Sequence, residues 1–264
     1  MQRSDWYIGL STYLEALGFI RRNRLGYFFL FPILISLLVL VVLFYFKSGL
    51  IDYLNDLLSN WTGLDHTRDD LEGWTATVMR ALVAISIWIA TTYIFWTFNK
   101  YIALVALSPV LAYLSEKTET ILTGKEYPFS VSQLMSDAMR GSVVAIRNFA
   151  IEMLWIAGFT IVGLLFPPIS PVLFIVAFAV SAYFYGFSMM DYTSERHRLN
   201  LPKGVRLVRR NRLMAVSNGA LFDLLMRIPV VGITVAPILG CVGATLALHR
   251  KYNLNENLQN ALNP

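Results

Sequence analysis

Three observations predict an all-α, polytopic integral membrane protein with transmembrane helices and partly penetrating helical hairpins. The first is composition. Of 264 residues, 56% are hydrophobic and only 15% charged, and the mean hydropathy is +0.55. A soluble domain carries about 45–50% apolar and about 25% charged residues, so too little polar surface exists here to cover a globule. Disorder needs the opposite composition. The second observation is a series of charge-free runs of bilayer length. The third is the way cations flank those runs.

Leu25 to Phe46 holds no charged residue. At 1.5 Å per residue it reaches about 33 Å, enough for a hydrocarbon core of about 30 Å. It is too long for the apolar stretch of a signal peptide and no small-residue cleavage site follows, so it reads as an uncleaved first span that Pro32 bends near its start. A second span covers Ala81 to Phe98, with Trp88, Tyr93, Trp96 and Tyr101 forming an aromatic belt towards its end. Ser108-Pro109 reads as a fresh helix start, Ser at the N-cap and Pro at the first helical position. The helix that follows sets Leu111, Leu114, Thr118, Ile121 and Leu122 against Glu116, Lys117 and Glu119. That amphipathic period predicts a helix leaving along the interface.

Ile146 to Phe166 and Pro171 to Met190 are the third and fourth apolar runs. Only Pro167-Pro168-Ile169-Ser170 joins them, which is a turn, so they form an antiparallel hairpin. The last stretch differs. Leu213 to Met226 gives 14 residues, with Asp223 among them. That is about 21 Å of helix, too short to span. Arg227-Ile228-Pro229 interrupts it before Ile233 to Leu248 continues, which predicts a hairpin that enters the bilayer part way and returns.

The charges agree with this layout. Arg3, Arg21, Arg22 and Arg24 precede the first span, and residues 47–77 carry only Lys47 and Arg68 against Asp52, Asp56, Asp65, Asp69, Asp70 and Glu72. Basic connections lie at about 100–145 and at 191–212, the latter with Arg196, Arg198, Lys203, Arg206, Arg209, Arg210 and Arg212. The positive-inside rule puts the basic side and the N-terminus in the cytoplasm and the acidic loop outside. No repeat and no domain-length linker stands out, so the chain reads as one membrane domain over residues 1–264. The net charge of +5 is then topogenic, and nucleic acid is not an expected partner.

Chemistry is sparse. Cys241 is the single cysteine and His66, His197 and His249 lie far apart. No disulfide, no metal-ligand spacing and no glycine loop for a phosphate is present, so neither an enzyme nor a cofactor or metal site is expected. Small residues at Gly240, Gly243, Ala244 and Ala247 form a close-approach helix face. Arg227-Ile228-Pro229-Val230-Val231-Gly232 is the most informative corner. Main chain at membrane depth is tolerated where it lines a wet cavity, and a half-helix starting there offers free N–H groups and a positive dipole end to an anion. The alternative is that Asp223 and Arg227, four apart, neutralise each other around a simple turn. Arg21-Arg22-Asn23-Arg24-Leu25-Gly26 either focuses anions at a pore mouth or only sets topology and attracts acidic lipid. Glu152, six residues into the third run, costs about 3 kcal/mol unless paired or wet. It either faces a wet lumen or lies near the interface, where it reaches water or pairs with Arg140, Arg147 or a residue of another helix.

Several segments resemble one family. Ala106-Leu107-Ser108-Pro109-Val110-Leu111-Ala112-Tyr113-Leu114-Ser115-Glu116-Lys117-Thr118-Glu119 is similar to the A-P-F-L-A-x-L-x-E-x-x-E block of the CysZ sulfate-permease and etoposide-induced protein family. Asp191-Tyr192-Thr193-Ser194-Glu195-Arg196-His197-Arg198 resembles its D-Y-P-x-E-R-R-R segment. Arg209-Arg210-Asn211-Arg212, Asn218-Gly219-Ala220, Ile228-Pro229-Val230-Val231-Gly232, Ala236-Pro237 and Gly243-Ala244-Thr245-Leu246 continue the likeness in order. The acidic loop takes no part. Where the family carries a P-G-L-R anion-binding turn, this chain has Asn23-Arg24-Leu25-Gly26, with Gly and Arg exchanged around Leu25. The resemblance implies an inner-membrane, homo-oligomeric protein that takes up sulfate or a similar oxyanion for cysteine synthesis and contacts membrane lipid. The anion-binding set is then Arg22, Arg24, Leu25 and Gly26 at the mouth, with Arg227, Val230, Val231 and Gly232 deeper. Ser108, Glu116, Glu119, Glu152 and Asp223 would line the path or pair with those arginines. A non-transporting membrane scaffold, resting on the amphipathic helix and the basic loops, is the rival reading.

Overall fold

A computed structural model describes residues 4–35, 37, 38, 41, 104–125, 130–228, 231–255 and 258. The second half of the first expected span, the acidic loop, the Ala81–Phe98 span, Pro229 and Val230 lie outside the described residues. The chain divides into two compact units, Met1–Ile35 with Ala103–Pro264, and Ser36–Ile102. The helices below belong to the first.

Every regular element among the described residues is helical. Helix α1 covers Asp5–Arg22, and after a two-residue turn a 3-10 segment, Leu25–Phe29, leads into α2 at 30–35. Helix α3 occupies 104–123. Then come α4 Val131–Leu165, α5 Ser170–Arg196, α6 Leu201–Arg210, α7 Arg212–Met226 and α8 Val231–Tyr252. Three of these contain stretches long and apolar enough to cross a membrane: Ala138–Gly163 in α4, all of α5, and α8.

The α4–α5 hairpin forms as its sequence predicts. Pro167–Ile169 make one 3-10 turn and Pro171 sits in the first turn of α5, where its missing N–H costs nothing. Ser181 Oγ donates to Glu152 at 2.7 Å and Asn148 Nδ2 to Ser188 Oγ at 3.0 Å, which fixes the antiparallel register. Leu154, Ile161, Leu165, Phe174 and Ile175 point away from the protein as exposed apolar side chains, the face a lipid-embedded helix presents. Helix α4 begins well before Ile146, because Ser130 caps it by accepting from the Gln133 N–H and nothing breaks the helix after it.

At the centre stands α8, whose residues from Ala236 to Ala244 are nearly all buried against α1, α5 and α7. Backbones approach closely here because glycines remove the side chains between them. A Cβ on Gly186 would collide with the Ala215 carbonyl of α7, and one on Gly219 with the Ala182 carbonyl of α5. Gly243 faces the Tyr13 backbone of α1 at a distance that leaves no space for a Cβ, 2.9 Å. In lipid, helices associate through such van der Waals contact rather than through a hydrophobic drive.

Two sequence expectations are corrected. Ser108 does not cap a new helix, since α3 runs unbroken through Ser108 and Pro109. Its hydroxyl instead donates to the Ala138 carbonyl at 3.1 Å and lies 3.1 Å from Ser142 Oγ, tying α3 to α4. The polar face of α3 turns outward only in part: Lys117 is exposed and Glu116 half-buried, but Glu119 is fully buried while Ile121 is exposed. Periodicity could not see this because Glu119 has a cationic partner, Arg196, on α5.

Replacing Gly186 or Gly219 with Leu should abolish a monodisperse, folded protein in detergent, because rigid backbone blocks the new side chain. Gly18→Ala, with nothing within 4 Å of the new methyl, should leave thermal unfolding unchanged or raise it slightly.

Candidate functional site

The first cationic site is built by a turn. Helix α1 ends at Arg22, Asn23 caps it through Nδ2 to the Phe19 carbonyl at 2.8 Å, and Arg24 adopts a left-handed backbone, φ 56°. A non-glycine residue there stores about 1–3 kcal/mol of strain. This turn separates α1 from the 3-10 segment, which starts at Leu25 with no side chain capping its first N–H groups. Arg22, Arg24 and Gly26 are exposed, whereas Leu25 and Phe28 are buried anchors. The Phe28 ring rests against Tyr113 of α3, 5.8 Å between centroids.

The second site is the α7–α8 corner. Asp223 is buried and accepts from Arg227 Nη2 at 2.9 Å, one helical turn on. The Arg227 side chain remains about half exposed, at 54%, and its guanidinium lies 5.7 Å from the Phe178 ring centre. Gly232 packs directly on the Leu225 and Met226 backbone, so α8 turns back against α7 at once. Val231 is exposed and Gly232 buried; Val230 lies outside the described residues.

Register brings these two sites together. Helix α1 runs antiparallel to α8: Asp5 pairs with Lys251, Glu15 with Arg250, and Tyr13 packs on Gly243. The Tyr13 hydroxyl donates to the Ala236 carbonyl at 3.1 Å. The Arg22–Gly26 turn therefore arrives at the end where α8 begins, and the 3-10 segment packs on α8. Arg24 and Arg227 lie towards the same end of the α1–α8 pair. The residues before the first span, to which the sequence reading assigned no element, form helix α1, Asp5–Arg22. Its outer face, Trp6, Tyr7, Leu14 and Leu17, is exposed and apolar, and Ile8, Tyr13, Ala16 and Ile20 are buried.

A third polar centre escaped the sequence reading. Arg196, at the end of α5, donates through Nε to Glu119 at 2.9 Å and through its Nη atoms to Ser115 and to the Tyr192 and Ala112 carbonyls. His197 Nε2 lies 3.0 Å from the other Glu119 oxygen. Beside them Ser115, Thr193 and Thr245 exchange hydroxyl contacts of 3.0 to 3.5 Å, joining α3, α5 and α8. Arg140 of α4 makes a comparable clamp, with both Asp191 oxygens at 3.2 and 3.3 Å and with the Leu199 carbonyl. The acidic residues lie buried on different helices, so no spacing along the chain reveals the pairs. The usable signal was the unusual density of charge at Asp191 to Arg198.

Of the remaining expected positions, Glu116 is half-buried one turn before Glu119, and Glu152 is buried, accepting from Ser181 at the α4–α5 contact. Among the described residues no His, Cys, Asp and Glu set could hold a metal ion.

The family model described as "Sulfate transporter CysZ/Etoposide-induced protein 2.4" matches residues 12–237. The chain belongs to the CysZ/etoposide-induced protein family. The match starts inside α1 and ends inside α8, so it takes in both arginine corners and the Glu119–Arg196 centre. Curated CysZ relatives are distant but nearly full-length. The sulfate transporter CysZ of Pectobacterium atrosepticum is 24% identical over 86% of this chain and 80% of its own length. That of Pseudomonas fluorescens strain Pf0-1 is 28% identical over 88% of this chain and 89% of its own. That of Pseudomonas aeruginosa strain PAO1 is 25% identical over 88% and 90%.

Removing one partner of the buried Glu119–Arg196 pair strands a charge, at about 3–5 kcal/mol. Glu119→Gln and Arg196→Met should each lower the thermal midpoint in detergent sharply, and the double variant should lose clearly less than the sum. Arg196→Lys should not rescue, because an ammonium cannot reproduce the planar fork that reaches Glu119, Ser115 and two carbonyls.

Proposed function

We propose that this family member carries an oxyanion, sulfate, across the cytoplasmic membrane, in support of cysteine synthesis and as a homo-oligomer. The observation that carries the reading is the convergence of the Arg22–Gly26 turn and the Arg227 corner at one end of the α1–α7–α8 bundle, in a chain whose matched relatives are named sulfate transporters. A sulfate dianion loses a large hydration energy on leaving water, so several donors must replace it at once. Two exposed guanidiniums and the N–H groups of Leu25 and Gly26 at the start of the 3-10 segment offer such a set. Val231 and Gly232 start α8 beside it, adding the positive end of a helix dipole. Asp223 steadies Arg227 without burying it.

Depth follows from length. The 15 residues of α7 reach about 22 Å, some 8 Å short of the hydrocarbon thickness. With the α6 cations and the N-terminus on the cytoplasmic side, the α7–α8 corner sits inside the outer half of the bilayer. Its polar main chain then requires a wet cavity. An anion arriving from outside meets the arginines first and continues towards the buried hydroxyls of Ser115, Thr193 and Thr245. The chain needs no cofactor for this, and movement is passive or ion-coupled. The scaffold reading keeps one observation in its favour: α6 buries Leu207 and Val208 and displays Arg206, Arg209 and Arg210, a basic face suited to lipid or a partner.

Radiolabelled sulfate uptake into proteoliposomes separates the two. Arg24→Ala and Arg227→Ala should each cut the initial rate about tenfold or more, the loss of a charge-assisted contact worth roughly 1.5–3 kcal/mol, and Arg206→Ala should leave it within twofold. A parent protein that is inserted and folded yet moves no sulfate leaves the scaffold. Equal effects of all three substitutions reject the arginine corner. Impermeant maleimide on Val231→Cys should label slowly and through the water path; rapid labelling from the outer bulk phase alone would mean that the corner has passed right through.

A further inference from the structure

On the outside of the helix bundle α4, α5, α6 and α7 leave a groove of about 660 Å³. Its two ends differ in chemistry. The helix contacts Asn148–Ser188, Glu152–Ser181 and Gly186–Ala215 set the levels along it. Arg147, Arg209 and Arg212 line the end level with the last turns of α5, whereas Trp155, Val176 and Val180 line the end nearer the hairpin tip. The arginines come from three different helices, so no sequence run assembles them. Arg209 and Arg212 are exposed, and Arg147 uses one N–H on Asn148 Oδ1 at 3.2 Å while its guanidinium lies 5.9 Å from the Phe187 ring centre. Among the described residues, no carboxylate pairs with any of the three.

We infer that this groove holds an anionic phospholipid, its phosphate between Arg147, Arg209 and Arg212 and an acyl chain along Trp155, Val176 and Val180. Three unpaired cations at one rim ask for an anion. The long apolar wall below them asks for hydrocarbon attached to that anion, which a free sulfate lacks. The two demands are about ten residues of helix apart, roughly 15 Å, so one elongated amphiphile meets both. Guanidiniums suit a phosphate because their planar N–H forks match its oxygens. Arg147 belongs to the candidate span of α4 and Val176 and Val180 to that of α5, so the occupant comes from the bilayer itself. The site stands whether or not sulfate is carried, and it lies at the opposite end of the α7 hairpin from Arg227.

The full chain reconstituted in phosphatidylcholine nanodiscs tests this, with brominated phosphatidylglycerol or brominated phosphatidylcholine as a contact quencher of indole fluorescence. The chain has six tryptophans, so the Trp155 share is the difference between parent and Trp155→Phe. Phosphatidylglycerol should quench that share at a mole fraction at least tenfold lower than phosphatidylcholine, since each basic side chain near an anionic lipid contributes roughly fivefold. The triple variant Arg147→Gln/Arg209→Gln/Arg212→Gln should bring the ratio near one, while Arg206→Gln keeps it. Because both lipids are compared on one preparation, a partly unfolded fraction cancels. Equal quenching by the two lipids in the parent overturns the assignment, and so does a ratio untouched by the triple substitution. A preference erased by sulfate but not by chloride at equal ionic strength would give the arginines to a free oxyanion instead.

Discussion

The architecture depends on one contact, the glycine-to-carbonyl crossing of α5 and α7. Gly186 admits the Ala215 carbonyl and Gly219 admits the Ala182 carbonyl, reciprocally. Hydrocarbon solvates leucine as well as another helix does, so greasy surface alone would not hold these helices together. Close backbone approach gives dense dispersion contact and brings polar side chains on neighbouring helices within hydrogen-bond reach. Everything else uses that proximity. Helix α7 is pinned at a fixed level on α5, α8 folds back on α7 at Gly232, and α1 closes over Gly243.

Polar groups in this bundle are consequently arranged in layers. One layer is largely enclosed, with buried Glu119 meeting half-buried Arg196 and His197 beside the buried Ser115, Thr193 and Thr245. A charge-assisted bond joins α3 to α5 there and hydroxyl contacts add α8, and the desolvation cost of the charges is offset only because donors and acceptors meet in good geometry. The other layer is half open, where Arg24 and Arg227 keep their head groups accessible while Leu25 and Asp223 anchor them. The two layers thus differ in access: the first is packed inside the bundle, whereas the second keeps its guanidiniums exposed.

Much of this was legible along the chain. The α4–α5 hairpin follows from two apolar runs and a diproline link, and the shortness of α7 from Asp223 and the Arg227-Ile228-Pro229 break. The Asp223–Arg227 pair was one of the two options its spacing offered. Less legible were elements whose meaning lies across the bundle. Ser108-Pro109 carries the letters of a helix start, yet the helix continues because Ser108 has partners on α4. Glu119 reads as solvent-facing until Arg196 is seen opposite. Residues 5–22 drew no helix from the sequence, yet they form α1, which Asp5, Glu15 and Tyr13 hold along α8.

The sequence by itself determined the solvent of this protein, its helical class and the family to which it belongs, because hydrophobic length and local turn chemistry are properties of neighbouring residues. Only the tertiary structure decided which charges are paired, that the Arg24 turn and the Arg227 corner lie towards one end of the bundle, and that Arg147, Arg209 and Arg212 rim one groove. Those facts are set by helix register, and register is fixed where two backbones touch, at glycines far apart in the chain.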